Sequence, residues 1–251
     1  MATYVELDGG IQGYAEVHGA GEPVLLLHGG FCSIETWAGQ IPALAAHYEV
    51  HAPERPGQGR TPDRPGPISF EHMVRDTVAY LDAAGLADVH LVGFSDGAIT
   101  ALLLALEHPD RVRSLVAISA NLDPSIFEDG DSGPADEAAG PAPGESDVRA
   151  AYERLSPDGP EHADVVLEKL LSMWLTEPDI PVEALAGIRA PALVMAGDHD
   201  SIPTEHTVAI AHGIPGARLS VIPDAGHMVI EQRPEAVNRQ ILEFLATLGT
   251  S

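Results

Sequence analysis

Two kinds of hydrophobic pattern follow each other along the chain. Near the amino terminus, segments 4–7 and 13–17 alternate apolar and polar residues around Asp8-Gly9-Gly10, which predicts an antiparallel hairpin at a sheet edge. From Val24 onward the strand candidates are continuous apolar runs, typical of parallel strands covered by helices on both faces. These runs lie near 24–28, 48–53, 89–94, 112–119, 192–197 and 218–222.

Helical patterns fill the intervals between these strands, near 35–46, 70–84, 96–107, 204–212 and 234–248. Strands that alternate with helices in this way predict an α/β fold, with a doubly wound and mostly parallel sheet. A chain of 251 residues, 45% of them hydrophobic, is long enough to bury one continuous core around such a sheet.

One interval of about seventy residues, between Ser119 and Pro191, is far longer than a crossover connection needs. Its first part, 128–145, is rich in Asp, Gly, Pro and Ala, and its second part holds helix candidates near 147–155 and 162–175. It leaves the sheet at the carboxyl end of a strand, where α/β proteins bind ligands, so we expect a cap rather than a decorated surface loop. The expected division is a core of residues 1–120 and 188–251 and a cap of residues 121–187.

The sequence Gly93-Phe94-Ser95-Asp96-Gly97 lies between a predicted strand and a predicted helix. A serine in such a strand–turn–helix bend is held in a strained conformation that exposes its hydroxyl above the sheet edge. Glycines at both ends suit the bend, since a Cβ there would crowd it. This placement makes Ser95 a candidate nucleophile.

A serine nucleophile needs a histidine base and an acid that orients the histidine, in the chain order serine, acid, histidine for this type of fold. Asp200 follows the predicted strand 192–197, and His227 follows the predicted strand 218–222. Ser95, Asp200 and His227 therefore fall at three strand ends in the required order, and we expect them to meet.

Other residues compete for the role of the acid. Asp198 and Asp123 are the alternatives, and Asp224 is interpreted as a turn residue. A metal site is a further interpretation, built from Asp198, His199, Asp200 and His206. Its spacing is irregular for a site with three ligands and an open position, so we expect no metal here.

An anion cradle is predicted after the first buried strand. His28-Gly29-Gly30-Phe31 follows the apolar run 24–27 directly, and its glycine pair lets backbone N–H groups face the serine. We expect the amides of Gly30 and Asp96 to form the oxyanion hole, with the Phe31 amide as a competitor. Loss of such a donor costs about 3 kcal/mol of activation free energy in comparable enzymes.

The charge balance narrows the classes of partner. The chain has 38 acidic and 13 basic residues, a net charge of −25, which argues against nucleic acid and anionic membranes as partners. Its one cysteine, Cys32, excludes an internal disulfide and is interpreted as a buried or pocket-lining thiol. Neither a signal peptide nor a membrane span is visible, so a cytoplasmic location is expected.

With these motifs together, the chain resembles the α/β-hydrolase superfamily over essentially its whole length. Residues 91–102 are most similar to the biphenyl-hydrolase-like, or valacyclovirase-type, serine esterases, and residues 53–61 resemble their glycine-rich turn after the fourth strand. The resemblance implies an eight-stranded sheet, a helical cap, no metal and no organic cofactor. Ala98 departs from the family, which usually has a second glycine there, and 128–145 does not map onto the family cap.

In the valacyclovirase-type esterases the acid after the nucleophile binds the amino group of the substrate, and Asp96 matches that position. The competing interpretation is a carboxylate stabilised by solvent or by the helix dipole. The other candidate substrate contacts are Phe31, Phe94, Trp174 and Met228, together with Phe127, Tyr152 and Met173 of the insertion.

The sequence therefore predicts a serine hydrolase, monomeric or homodimeric, that cleaves a small-molecule carboxylic ester through an acyl-enzyme. Lactone or carbon–carbon bond hydrolysis, perhydrolase or haloperoxidase-like chemistry, and a ligand receptor without turnover are the alternatives on the same fold. Haloalkane cleavage is disfavoured, because those relatives use an aspartate where this chain has Ser95.

Overall fold

A computed structural model of the chain describes residues 1–127 and 147–249. Its strands are β1 (Ala2–Glu6), β2 (Gln12–Gly19), β3 (Pro23–Leu27), β4 (Glu49–Pro53), β5 (Val89–Phe94), β6 (Val112–Ile118), β7 (Ala192–Gly197) and β8 (Arg218–Ile222). They form one eight-stranded sheet in the order β1-β2-β4-β3-β5-β6-β7-β8. The pairs β1–β2 and β2–β4 are antiparallel and all others are parallel, which confirms the predicted fold class and the predicted edge hairpin.

The described helices are α1 (Ile41–Ala45), α2 (Phe70–Ala83), α3 (Asp96–Glu107), α4 (Val148–Leu155), α5 (Ala163–Trp174), α6 (Thr204–Gly213), α7 (Val229–Gln232) and α8 (Pro234–Ala246). The predicted helix 35–46 is wrong as a single element. The chain there makes a short 3-10 turn at Ile34–Trp37 and then α1, because Gly39 interrupts the run and Pro42 suits only a first helical turn.

Both faces of the central sheet are buried, which explains the continuous apolar runs. Leu25 and Leu27 of β3 pack into a core cluster on one face, and Val24 and Leu26 pack into a second cluster on the other. Helix α3 is apolar on nearly all sides and is buried along most of its length. The turn before α3 is therefore held between the buried strand β5 and a buried helix.

Helices α4 and α5 belong to the long insertion. The buried residues of α5 recur on one helical face and join the core cluster that contains Leu25 and Leu27 of β3. They are Ala163, Val166, Leu170 and Met173. The predicted Asp/Gly/Pro-rich segment 128–145 lies outside the described residues. Among the residues that are described, no helix has the length and apolar character needed to cross a membrane.

Candidate active site

The turn between β5 and α3 has the strained geometry expected of a nucleophile turn. Ser95 has φ 53° and ψ −122°, a positive φ that residues other than glycine rarely adopt. Its N–H donates to the carbonyl of Ile118 on β6 at 2.9 Å. A Cβ on Gly93 would overlap the carbonyl of Gly97, and a Cβ on Gly97 would overlap that of Leu27. Close backbone approach therefore explains both glycines.

Three side chains from three strand ends meet beside this turn. The Nε2 atom of His227 lies 3.1 Å from the Ser95 hydroxyl oxygen, and its Nδ1 atom lies 2.8 Å from Oδ1 of Asp200. The Asp200 side chain is 2% exposed, whereas that of His227 is 29% exposed. The structure thus brings the predicted nucleophile, base and acid into one chain of hydrogen bonds.

A further hydroxyl, which the sequence analysis did not identify, extends this chain. Ser119 follows β6 directly, is 1% exposed, and donates its Oγ hydrogen to Oδ2 of Asp200 at 2.5 Å. The N–H of Ile202 donates to Oδ1 of Asp200 at 2.9 Å. Burial raises the pKa of Asp200, but the charge and hydrogen bond of His227 and these two donors together lower it below its ordinary value. Asp200 is therefore held as a carboxylate.

The rival acids have other partners. Asp198 accepts the N–H of Ala225 at 3.1 Å, and Asp123 accepts the N–H two residues further on, as turn residues do. Asp224 is exposed and has a positive φ. Within residues 1–127 and 147–249, no group of three or more His, Cys, Asp or Glu side chains is arranged to hold a metal ion.

The loop at His28–Phe31 is held by a buried arginine. The guanidinium of Arg55 donates to the carbonyls of His28 and Gly29, the second at 2.7 Å. Because the C=O and the next N–H of a trans peptide point in opposite directions, the Gly30 N–H points away from Arg55. The Asp96 N–H, the first of α3, has no partner within the helix. These contacts therefore use neither the N–H group of Gly30 nor that of Asp96 as a donor.

The Asp96 carboxylate contacts the insertion. Trp174, at the end of α5, donates its Nε1 hydrogen to both Asp96 oxygens, at 2.9 and 3.1 Å. A Cβ on Gly30 would overlap Oδ2 of Asp96 and Cζ2 of Trp174, so both side chains pack directly against this glycine. Burial raises the pKa of Asp96, while the charge of Arg55 and the Trp174 hydrogen bond oppose the rise.

Two aromatic rings border the same region. Phe31 stacks on Tyr152 of α4, with ring centroids 5.1 Å apart and planes 7° from parallel. Phe94 lies against the His227 imidazole, at 5.2 Å between centroids. Cys32 is buried and lines, with Phe31 and Tyr152, a small cleft. Phe31, Phe94 and Tyr152 are all buried, so they provide apolar packing around the loop and the histidine rather than open surface.

The remaining predicted contacts have a different environment. Met173 is buried in the core cluster of α5, and half-buried Met228 packs against the core cluster on the other face of the sheet. The side chain of Phe127 lies outside the described part of the chain. Phe31, Phe94 and Trp174 are thus the predicted aromatic contacts that lie near the nucleophile.

The fold and this site define an α/β hydrolase: a mostly parallel sheet with a strained serine after β5 and a histidine and an aspartate after later strands. The chain belongs to the alpha/beta hydrolase family, which matches residues 24–240. The resemblance to this superfamily that the motifs carry is thereby confirmed.

Known relatives differ in the activity that their names suggest. RutD of Azorhizobium caulinodans, provisionally named a carbamate hydrolase, is 33% identical in an alignment that covers 92% of this chain and 94% of RutD. BpoC of Mycobacterium tuberculosis, provisionally named a non-heme bromoperoxidase, is 30% identical in an alignment that covers 92% of this chain and 96% of BpoC. A thermophilic esterase from Thermogutta terrifontis is 27% identical, with a TM-score of 0.78 and full coverage of both chains.

Proposed function

We propose that this family member is a serine hydrolase that cleaves a small-molecule carboxylic ester through an acyl-enzyme. The observation that carries the proposal is the pair of hydrogen bonds that join His227 to Ser95 at 3.1 Å and to Asp200 at 2.8 Å. These distances lie within the range in which a nucleophile, its base and an orienting acid act together. The likeness to an esterase of known structure supports the same substrate class.

In acylation, Ser95 Oγ attacks the ester carbonyl carbon while Nε2 of His227 takes the hydroxyl proton. Asp200 holds Nδ1–H of the imidazole and stabilises the imidazolium that forms. The amides of Gly30 and Asp96 bind the oxyanion, with that of Phe31 as the alternative donor. His227 then gives its proton to the alcohol oxygen as the carbon–oxygen bond breaks, and the alcohol departs.

In deacylation, water takes the place of the alcohol. His227 removes a proton from that water, the hydroxide adds to the acyl carbon, and the carboxylic acid leaves as Ser95 regains its proton. Residues 121–187 act as the cap in this proposal, over a core of residues 1–120 and 188–251. The contacts of Tyr152 with Phe31 and of Trp174 with Asp96 support this division.

The direct test is hydrolysis of p-nitrophenyl acetate by the wild type and by Ser95→Ala. Because the three residues act as a unit, we expect kcat of the variant to fall by about three orders of magnitude or more. Ser172→Ala, an exposed serine on α5, is the control and should leave kcat unchanged. Equal hydrolysis by Ser95→Ala and the wild type would contradict the proposal.

A carbamate is the second candidate substrate, favoured by the 33% identity to RutD along almost the whole chain. The same attack on a carbamate carbonyl gives a carbamoyl-enzyme, which water then releases. Paired assays with p-nitrophenyl acetate and p-nitrophenyl N-methylcarbamate separate the two. Faster turnover of the ester supports the first candidate, and faster turnover of the carbamate supports the second.

A further inference from the structure

We propose that Asp96 positions the indole of Trp174 against the oxyanion loop, and that this Trp174–Asp96 pair restricts the enzyme to esters of short, uncharged acyl chains. This inference rests on the proposed function and deepens it. It assigns the Asp96 carboxylate a role in holding the cap side chain, in place of contact with a substrate amine.

The pair is fixed on both sides. Both carboxylate oxygens of Asp96 accept from Nε1 of Trp174, and the Asp96 side chain is 3% exposed at the start of the rigid helix α3. Trp174 ends α5, whose buried face packs into the core. The same helix is tied to the loop after β4 by Lys169, whose Nζ lies 2.5 Å from Oδ2 of Asp63. The position of the Trp174 indole relative to Asp96 is therefore fixed.

The position of the indole determines which part of a substrate it meets. The leaving alcohol must lie beside Nε2 of His227, which protonates it, and the oxyanion lies at the Gly30 and Asp96 amides. Trp174 packs on these two residues, so it borders the remaining substituent of the carbonyl carbon, the acyl chain. A ring fixed at this point would collide with a long acyl chain before it met a short one.

The charges around the pair favour neutral acyl groups. The carboxyl group of Asp96 is buried, and the charge of the buried Arg55 guanidinium is attracted to it. A cationic acyl group would have to displace the Trp174 N–H from Asp96 before it could pair with the carboxylate. An anionic group would be desolvated beside a carboxylate. A neutral chain avoids both costs.

The experiment measures kcat/KM for p-nitrophenyl esters from acetate to octanoate with the wild type, Trp174→Ala and Trp174→Phe. In the wild type we expect kcat/KM to fall as the acyl chain grows beyond butyrate. Trp174→Ala should raise the octanoate-to-acetate ratio by about tenfold or more, because shape exclusion in an apolar pocket has this magnitude. Trp174→Phe, which keeps a ring, should stay nearer to the wild type.

Leu175→Ala is the matched control, since Leu175 is the next residue and is 64% exposed. It should leave the ratio unchanged. Asp96→Leu removes the acceptor and should shift the ratio in the direction of Trp174→Ala, whereas Asp96→Asn keeps an acceptor and should restore the wild-type ratio. The proposal would be overturned if the octanoate-to-acetate ratio of kcat/KM were equal in the wild type and Trp174→Ala. It would also be overturned if Trp174→Ala changed kcat/KM only for acetate esters of longer alcohols.

The preference for uncharged acyl groups is tested separately. The test compares kcat/KM for L-valine benzyl ester and for benzyl 3-methylbutanoate, which differ by the amino group. The proposal expects the neutral ester to be the better substrate, and preference for the valine ester would overturn it. Absence of hydrolysis of every ester by the wild type would instead refute the proposed function, so the two failures are distinguishable.

Discussion

Backbone strain is concentrated at the candidate site. Among the described residues, the non-glycine residues with a positive φ are Phe31, Ser95, Ser119 and Asp224. The first three belong to the predicted anion-cradle loop, the proposed nucleophile and the hydroxyl donor to Asp200. Conformations of this kind cost about 1–3 kcal/mol each, and they persist where surrounding packing enforces them and the site needs them. Ser119 thus shares with Ser95 a strained backbone conformation beside the proposed triad.

Removal of the Ser119 hydroxyl should impair the reaction without weakening substrate binding. A hydrogen bond to a charged group contributes about 1.5–3 kcal/mol, so Ser119→Ala should lower kcat by about tenfold to a hundredfold, with KM little changed. Ser119→Gly should lose as much kcat, although glycine accepts the φ of 58° without strain. Steady-state kinetics of the two variants measure this effect.

Ser114→Ala is the matched control, because Ser114 is buried on β6, the strand that Ser119 follows, and bonds to His90 rather than to Asp200. It should retain kcat.

The pKa of Asp200 should also rise in Ser119→Ala. A lowered carboxyl pKa contributes stability above its ordinary value of about 3.9, and this stability is lost as the pH falls through the folded-state pKa. Acid unfolding of Ser119→Ala should therefore begin at a higher pH than that of the wild type. Full kcat in Ser119→Ala would refute the proposed role of the Ser119 hydroxyl.

The proximity of Ser95, Asp200 and His227 could be predicted from the sequence, because each follows an apolar strand in an order that this fold imposes. The contact of Ser119 with Asp200 could not be predicted, because a serine after a strand is common and no motif surrounds it. Its role depends on the pairing of β6 with β7, where Ile118 lies opposite Met195, and on a buried turn beyond them. Such a contact between distant segments becomes visible only when the strands are placed side by side.

At the scale of elements, the helices of the insertion are anchored to the core by polar contacts as well as by packing. Asp63, in the loop after β4, is nearly buried and accepts from Lys169 at 2.5 Å and from His162 at 2.9 Å. Arg154 of α4 binds Glu35 across the cleft. The Lys169–Asp63 pair is less exposed than the Arg154–Glu35 pair, so it should contribute more to stability.

Lys169→Met should weaken the attachment of α5. We expect a loss of about 1–3 kcal/mol in the free energy of unfolding, since Asp63 loses a charged donor but keeps His162. For a chain of this size that is about 2–4 °C in Tm per kcal/mol, measured by thermal unfolding. Arg149→Met, which breaks an exposed pair with Asp164, is the control and should shift Tm by much less. Equal shifts in both variants would show that the Lys169 contact has no special role.

The elements themselves were largely predictable. The helix predicted at 96–107 has the same bounds as α3, because its Ala and Leu run is uninterrupted and follows a motif that marks its start. The helix predicted at 35–46 failed because Gly39 and Pro42 divide a run whose hydrophobic spacing looked continuous. The contact of Trp174 with Asp96 could not be derived, since it joins residues 78 positions apart through packing of the insertion.

For the whole molecule, the net charge of −25 is the dominant electrostatic feature. Most basic side chains already bind carboxylates, among them Arg60, Arg64, Arg111, Arg113 and Arg189. The remaining carboxylates therefore repel one another in the folded state, and this repulsion falls when salt screens it.

Added salt should consequently stabilise the fold. We expect Tm to rise by a few degrees between about 0.02 and 0.5 M NaCl, because the Debye length falls below the spacing of surface charges. KCl at equal ionic strength should give the same shift, and sucrose at equal osmolality tests for an effect of solute exclusion. A Tm that falls with salt would mean that the ion pairs outweigh the repulsion.

The central claim is that Ser95 is a nucleophile activated by His227 and Asp200. Its most direct test is the reaction of the intact protein with a fluorophosphonate, followed by mass spectrometry of the protein and its peptides. The account predicts one adduct per chain, located on Ser95, and a labelling rate that falls by about a hundredfold or more in His227→Ala. An adduct on another residue, or labelling of His227→Ala at the wild-type rate, would contradict it.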